Sequence, residues 1–431
     1  MTLLLFVGVL IFSILLGLPI AFGLLLAAMA LMVHMNLFSA DILAQTLING
    51  VDNFPLLAIP FFILAGEFMS TGGLSRRIVR LAMAYVGHLR GGLGYVAIIT
   101  SVLLAGLSGS AVADAAALVS ILYPMMRNAG YPQGRSMGLL ASGGIIAPVI
   151  PPSLPLILVG VAGNISIADL FLGGIAPGLI MGATLVIVWT LVVRRDETMI
   201  AMPEVPKADK AERRAALKDG VWALLLPLII IGGIRFGIFT PTEAGVVAAA
   251  YAFFVSIVIY REITWKVFME VMINAGRATA MVMFLVGAAM VAAWLITVAQ
   301  LPQQLATLLQ PLIDSPRLLM AVIMLLVLCV GMVMDLSPTI LILVPLLLPV
   351  VREAGIDPVY FGLMFVINCS IGLITPPVGT VLNVVCGVGR VPMSLAVQGS
   401  WPFILAYLVL LVIFIAVPSI ITVPMAFFIG S

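Results

Sequence analysis

Ile150-Pro151-Pro152-Ser153 and Thr375-Pro376-Pro377-Val378 are the two stretches on which the reading of this chain turns. Each proline pair interrupts an otherwise apolar segment. Proline removes a backbone donor and clashes with the preceding helical turn, so each segment must break there. In a hydrocarbon medium a broken helix survives only where protein or a water-filled cavity satisfies the freed backbone groups. Breaks at matching places in two halves of a membrane chain point to a transporter's binding site.

The surroundings are those of a bilayer. The 431 residues are 63% hydrophobic and 9% charged, against about 25% charged in ordinary soluble domains. That excludes a soluble globule and implies an all-α polytopic membrane protein. Apolar stretches fill the chain from Leu3 to Phe428, and the first reads as a permanent span rather than a cleaved signal. Cys329, Cys369 and Cys386 lie in apolar runs without metal or disulfide spacing. A net charge of +2 with no basic cluster gives no sign of nucleic acid. No P-loop, HExxH or GxSxG motif occurs, so neither ATP nor hydrolysis is indicated and no cofactor is expected.

Outward from the first break, residues 1–193 read as scaffold spans (3–70), an interfacial arm (74–89), a re-entrant hairpin (92–127), the broken span (137–160) and a full span (170–193). Met35 to Val51 reads as a loop. The first half of the hairpin, Gly92 to Gly106, covers roughly 22 Å as a helix, short of a hydrocarbon core of roughly 30 Å. Residues 194–219 form a polar linker with seven Lys/Arg. Residues 220–431 repeat the plan with spans (221–299, the third from Ala278 to Ala299), an arm (301–313), a hairpin (318–352), a broken span (361–385) and a last span (403–421). One shift of 225 positions pairs Gly106 with Gly331, Pro124 with Pro349, Arg127 with Arg352, Pro151 with Pro376, Pro152 with Pro377 and Pro177 with Pro402. Shared greasiness would not place prolines, glycines and arginines in register. Five crossings and a returning hairpin per half imply an inverted repeat. With the Lys/Arg-rich linker cytoplasmic, both termini fall outside and only Arg235, Arg317 and Arg352 face outward, as the positive-inside rule asks.

The polar residues collect at the tips and breaks. Asp114 and Asp335 stand by the two hairpin tips. A carboxylate at membrane depth costs a few kcal/mol and marks a functional site, although each could simply stabilise the start of its own half-helix. Ser108, Gly109 and Ser110 face the first break, and Ser337, Pro338 and Thr339 the second. Ser142, Gly143 and Gly144 precede one proline pair; Asn368, Thr375, Gly379, Thr380 and Asn383 surround the other. For any single serine, close packing of small residues is the simpler account. As a group they suit a hard cation bound by oxygens and an anion held at half-helix N-termini. Glu67 and Glu243 read as structural pairing or capping residues.

Leu57-Ala58-Ile59-Pro60-Phe61-Phe62 with Ala65-Gly66-Glu67, Ser108-Gly109-Ser110 with Ala113-Asp114, Ile150-Pro151-Pro152-Ser153, Phe239-Thr240-Pro241-Thr242-Glu243-Ala244 and Ile374-Thr375-Pro376-Pro377 together resemble the large membrane subunit of tripartite ATP-independent periplasmic (TRAP) transporters. The resemblance covers essentially the whole chain and looks closest to the 2,3-diketo-L-gulonate type. It implies an elevator-type fold of two inverted repeats and sodium-driven uptake of a sugar acid or other carboxylate across the bacterial inner membrane. The implied partners are a periplasmic solute-binding protein and a small four-helix membrane subunit, expected as a separate polypeptide. By the same resemblance each tip and its break form a sodium site, from Ser108, Ser110, Asp114, Gly144, Ala147 and Pro151 in the first half. Asp335, Asn368, Gly372, Thr375 and Pro376 serve in the second. Substrate between the tips would meet Ser108, Gly109, Ser153, Ser337, Pro338, Thr339, Thr380 and Asn383. A single-component organic-anion transporter of related fold, driven by protons or sodium, is the competing expectation.

Overall fold

Glycines and prolines set the first helix boundaries in the computed structural model, which describes residues 2–196 and 206–429. Gly17, at φ +76°, ends α1 (Thr2–Leu15), and Pro19 precedes α2 (Ile20–His34). Then follow α3 (Ala40–Val51), a 3-10 turn (Phe54–Leu57) running into α4 (Ala58–Thr71), and α5 (Leu74–Val86), which starts after Gly73 at φ +77°. The first hairpin is α6 (Gly92–Ser108) and α7 (Ala111–Asn128); the first broken helix is α8 (Gln133–Gly144) and α9 (Leu154–Gly163); α10 (Ile167–Arg195) closes this part. After the linker come α11 (Lys210–Arg235), α12 (Pro241–Phe254) with a π turn (Val255–Ile259), α13 (Trp265–Val298) and α14 (Leu301–Ile313). The second hairpin is α15 (Pro316–Gly331) and α16 (Leu336–Glu353), the second broken helix α17 (Pro358–Gly372) and α18 (Thr380–Gly389), and α19 (Met393–Ala416) and α20 (Ser419–Ile429) end the chain.

Four expectations are corrected. Met35 to Val51 is not a loop: Ser39 accepts a hydrogen bond from the Ile42 N–H at 3.3 Å and caps α3, which docks on α13 where a Cβ on Gly50 would fall 2.6 Å from that of Met290. The linker is not open to residue 219, because Asp209 caps α11 and the helix runs unbroken from Lys210 into the span. The span expected from Ala278 begins at Trp265, making α13 34 residues long, or about 51 Å. The last span stops at Ala416, and α20 is a separate helix after Pro418. Among the described residues, seven helices are long and apolar enough to cross a bilayer, α16 among them, whereas each piece of the broken helices is too short alone.

Two clusters tie α4, α5, α11, α12 and α13 together. Phe68, Phe253, Phe268 and Trp265 stack or meet edge-on at 5.4 to 6.1 Å, pairs worth about 0.5–1.5 kcal/mol each beyond their burial. At the end of the bundle Glu262 binds Arg76 and Arg77 at 2.9 and 2.6 Å, Arg80 binds Asp219 at 2.8 Å, and Arg77 lies 3.6 Å over the Tyr260 ring. The amphipathic α5 is thereby fixed to the start of α11.

The remaining helices interlock across the two halves. α8 lies on α19 so closely that a Cβ on Gly138 would be 2.7 Å from the Ser400 Cα, and the Tyr407 hydroxyl donates to the Ser142 carbonyl at 3.0 Å. α17 lies on α10, where a Cβ on Gly362 would fall 2.9 Å from a Leu170 methyl. α7 and α16 start 225 residues apart, as do α8 and α17. Both proline pairs contain a cis peptide bond.

Candidate functional site

The first tip is two residues long. Gly109, at φ +62°, turns the chain, and Ser110 caps α7 by accepting from the Ala113 N–H at 3.4 Å. The turn lies directly on the first break: a Cβ on Gly109 would sit 2.7 Å from the Pro152 carbonyl oxygen and 2.9 Å from the Ser153 Cα. Ser108 donates its hydroxyl to the buried Asp114 carboxylate, and its oxygen accepts from the Ser110 N–H at 3.2 Å. The second carboxylate oxygen, Asp114 Oδ2, is buried without a hydrogen-bond partner. Gly144 ends α8 against α7, with its Cβ position 2.6 Å from the Ala115 methyl; Ala147 and Pro151 are buried in the break. Ser153 caps α9, accepting from Leu156 N–H at 3.3 Å and donating to the Pro148 carbonyl.

The second tip is built differently. Met332 to Asp335 form it, so Ser337, Pro338 and Thr339, expected in the tip, occupy the first turn of α16. Thr339 donates to the Asp335 carbonyl at 2.7 Å and holds that turn together. Asp335 is the N-cap residue of α16, and its carboxylate makes no capping bond. The Gly379 N–H donates to the Met332 carbonyl at 3.3 Å, joining the second break to the second tip. Gly372 presses on Gly331, where a Cβ would be 2.6 Å from the Gly331 carbonyl carbon. Thr375 returns its hydroxyl to the Ile371 carbonyl at 2.7 Å, and Asn383 donates to Val378 at 3.0 Å on the exposed side. Asn368 donates to the Met324 carbonyl, leaving its Oδ1, like the Thr380 hydroxyl, buried and unpartnered.

A cavity of about 380 Å³ gathers the tips. Ser108, Ser110, Asp114, Asp335 and Ser337 line one wall, and Glu67, Ser70 and Ser75 from α4 and α5 face them. A smaller space of about 260 Å³ adjoins Gly109, Pro148, Asp335, Ser337 and Leu373. Both hairpins therefore meet in one place, with Pro148 of the first break and Leu373 of the second beside them. The other expected site residues, from Gly144 to Asn383, do not line this cavity. Glu67 corrects an expectation. It stands in α4 four residues before Thr71, and among the described residues it has no ion pair or hydrogen bond, so it neither pairs nor caps. Glu243 does cap, in a reciprocal bond with Thr240.

Residues 7–420 match the family described as "Tripartite ATP-independent periplasmic transporter, DctM component". The chain belongs to the DctM family. This DctM chain is 56% identical over 425 residues to the 2,3-diketo-L-gulonate TRAP transporter large permease protein YiaN of Escherichia coli K12, covering 99% of each. It is 39% identical to the sialic acid TRAP transporter large permease protein SiaM of Vibrio cholerae, over 94% of this chain and 93% of that one. With the C4-dicarboxylate TRAP transporter large permease protein DctM of Pseudomonas aeruginosa it shares 39% identity over 89% and 90%. Its fold is similar to the crystal structure of the YdaH transporter of Alcanivorax borkumensis, with a TM-score of 0.63 over 89% and 91% of the two chains at 16% identity. It is a multi-pass TRAP large permease.

In this DctM chain four half-helices, α7, α9, α16 and α18, begin at the tips and breaks. Their unpaired N–H groups carry partial positive charge and suit an anion. The buried oxygens of Asp114, Asn368 and Thr380 that lack partners are hard donors that suit a small cation. Sequence reasoning missed Glu67, Ser70 and Ser75 as cavity residues, because nothing local to α4 or α5 says which face the hairpins cover.

Proposed function

We propose that this chain is the transport subunit of a sodium-coupled system that imports a sugar acid or related carboxylate across the bacterial inner membrane. The observation that carries the reading is the meeting of both hairpin tips, with Asp114 and Asp335, in one cavity at the starts of half-helices. A substrate carboxylate there meets helix N-termini, and sodium neutralises the aspartates that would otherwise repel it. The 56% identity to YiaN favours a diketogulonate-like sugar acid. A periplasmic binding protein delivers it, and a small four-helix membrane subunit braces this one.

The halves are read as inverted repeats. In support, α10 and α19, which correspond under the 225-residue shift, run antiparallel: Arg195 shares a groove with Pro402, and Thr184 shares one with Ile413. The hairpins and broken helices form a moving body that slides as an elevator against α4, α5 and α11 to α13, and both termini are periplasmic. Uptake into proteoliposomes, with the small subunit and the binding protein supplied, tests this. Saturable uptake that requires an inward sodium gradient and the binding protein is expected. Uptake driven by a proton gradient alone, or without the binding protein, would overturn it.

A further inference from the structure

Away from the cavity, α10 and α19 leave a groove between them. Thr184, Val188, Leu191 and Arg195 recur at helical spacing down α10, and residues three or four apart share one face. Pro402, Leu405, Val409 and Ile413 do the same on α19, running the other way. The space between the stripes has two contiguous parts that share Val188. One, of about 470 Å³, is walled almost wholly by aliphatic side chains from Thr184 to Ile413. The other, of about 690 Å³, opens at the end where Arg135 and Arg195 stand.

We infer that this groove binds an anionic glycerophospholipid, with its phosphate between Arg135 and Arg195 and one acyl chain lying along the α10–α19 seam. Length selects the occupant. From Arg195 to Thr184 is roughly 16 Å along the helix, about half of a hydrocarbon core of roughly 30 Å. The groove is thus one leaflet deep, with charge at its outer end only, which suits a lipid and falls short of a spanning protein helix. Charge selects the headgroup. Arg135 spends one N–H on the Gly399 carbonyl at 3.2 Å and keeps the rest of its fork, Arg195 is exposed, and the two outnumber Asp196, which has an interaction of its own. Guanidinium forks bind phosphate oxygens in pairs, and basic pockets between membrane helices on the Lys/Arg-rich side recognise acidic headgroups. The lipid would sit on helices that pack on the broken helices at Gly138 and Gly362, so it would travel with them in the proposed elevator.

Native mass spectrometry of the purified chain, with phosphatidylglycerol, phosphatidylethanolamine or free glycerol 3-phosphate added, tests this. Phosphatidylglycerol adducts are expected to survive activation at least fivefold better than phosphatidylethanolamine adducts, and glycerol 3-phosphate to leave none. Arg195→Gln, a change at an exposed side chain with no partner among the described residues, should abolish the preference; Val188→Trp, which fills the seam, should reduce retention of both lipids. Equal retention of the two lipids by the wild type, an unchanged preference in Arg195→Gln, or retention of glycerol 3-phosphate would overturn the assignment. So would cross-linking of a photoreactive residue at position 409 to a polypeptide instead of lipid.

Discussion

At Gly109 two requirements coincide: φ is +62°, and the space a Cβ would fill is taken by the Pro152 carbonyl. Gly130 has φ +84° and open space, so it isolates the first requirement. Gly130→Ala should lose roughly 1 kcal/mol of stability from left-handed strain alone. Gly109→Ala should lose that plus roughly 1–3 kcal/mol of overpacking, read as a lower thermal midpoint in detergent, and its uptake should fall below a tenth of wild type. The carboxylates divide in the same way. If the proposed sodium coupling holds, Asp114→Asn should raise the sodium concentration for half-maximal uptake at least tenfold, a change of about 1.4 kcal/mol; an unchanged sodium dependence would remove Asp114 from the proposed ion site. Glu67→Gln should leave the thermal midpoint within about 2 °C, since no partner is lost, while slowing uptake severalfold. Asp114 and Asp335 were legible because a carboxylate in an apolar run demands a reason. Glu67 was not, because its role depends on α6 and α13 packing beside α4, a long-range fact. The oxygens of Thr339 and Thr375 were legible only as polar atoms; that both turn back onto their own helices is decided by rotamers.

Some starts that rest on glycine were legible to the residue, as at Leu74 and Gly92, whereas the starts beside Pro132, Pro316, Pro358 and Pro392 lie two to ten residues earlier than the apolar pattern places them. The arm α14 runs from Leu301 to Ile313 as read, set off by Gln300 at φ +54° and by the turn before Pro316. α3 was hidden because Gln45, Thr46 and Asn49 dilute its apolar face, and the start of α13 because Lys266, Glu270 and Arg277 made it look like an end. At 34 residues the helix outgrows the membrane. The first arm raises a point of energetics. Isolated surface ion pairs contribute about 0–1 kcal/mol, yet Glu262 receives two arginines and one of them stacks on Tyr260. Glu262→Gln should therefore free the start of α5 without melting the bundle. Hydrogen exchange should speed up at least fivefold in the first two turns of Leu74–Val86 and stay unchanged in α6; equal rates throughout would mean that the apolar face alone holds the arm.

For the whole molecule, the 225-residue register in the sequence anticipated which elements recur, but not how the halves embrace. α8 lies on α19 and α17 on α10, each crossing from one half to the other through glycine contacts too close for a side chain. These contacts tie the broken helices to α10 and α19, and those at Gly109, Gly144 and Gly372 tie the hairpins to the breaks, so the proposed elevator would carry them as one body against α4 and its neighbours. The boundary between the two proposed bodies would run through the cavity, which Met69 of α4 and Ala113 of α7 both line. In a background with Cys329 and Cys386 replaced by alanine, the Met69→Cys, Ala113→Cys pair treated with a short bifunctional thiol reagent should lose at least nine-tenths of its uptake. Neither single cysteine should do so. A cleavable reagent should allow recovery on reduction. A pair that is cross-linked in full yet transports normally would mean that the hairpin body does not slide past α4, and that substrate crosses by local opening of the tips instead.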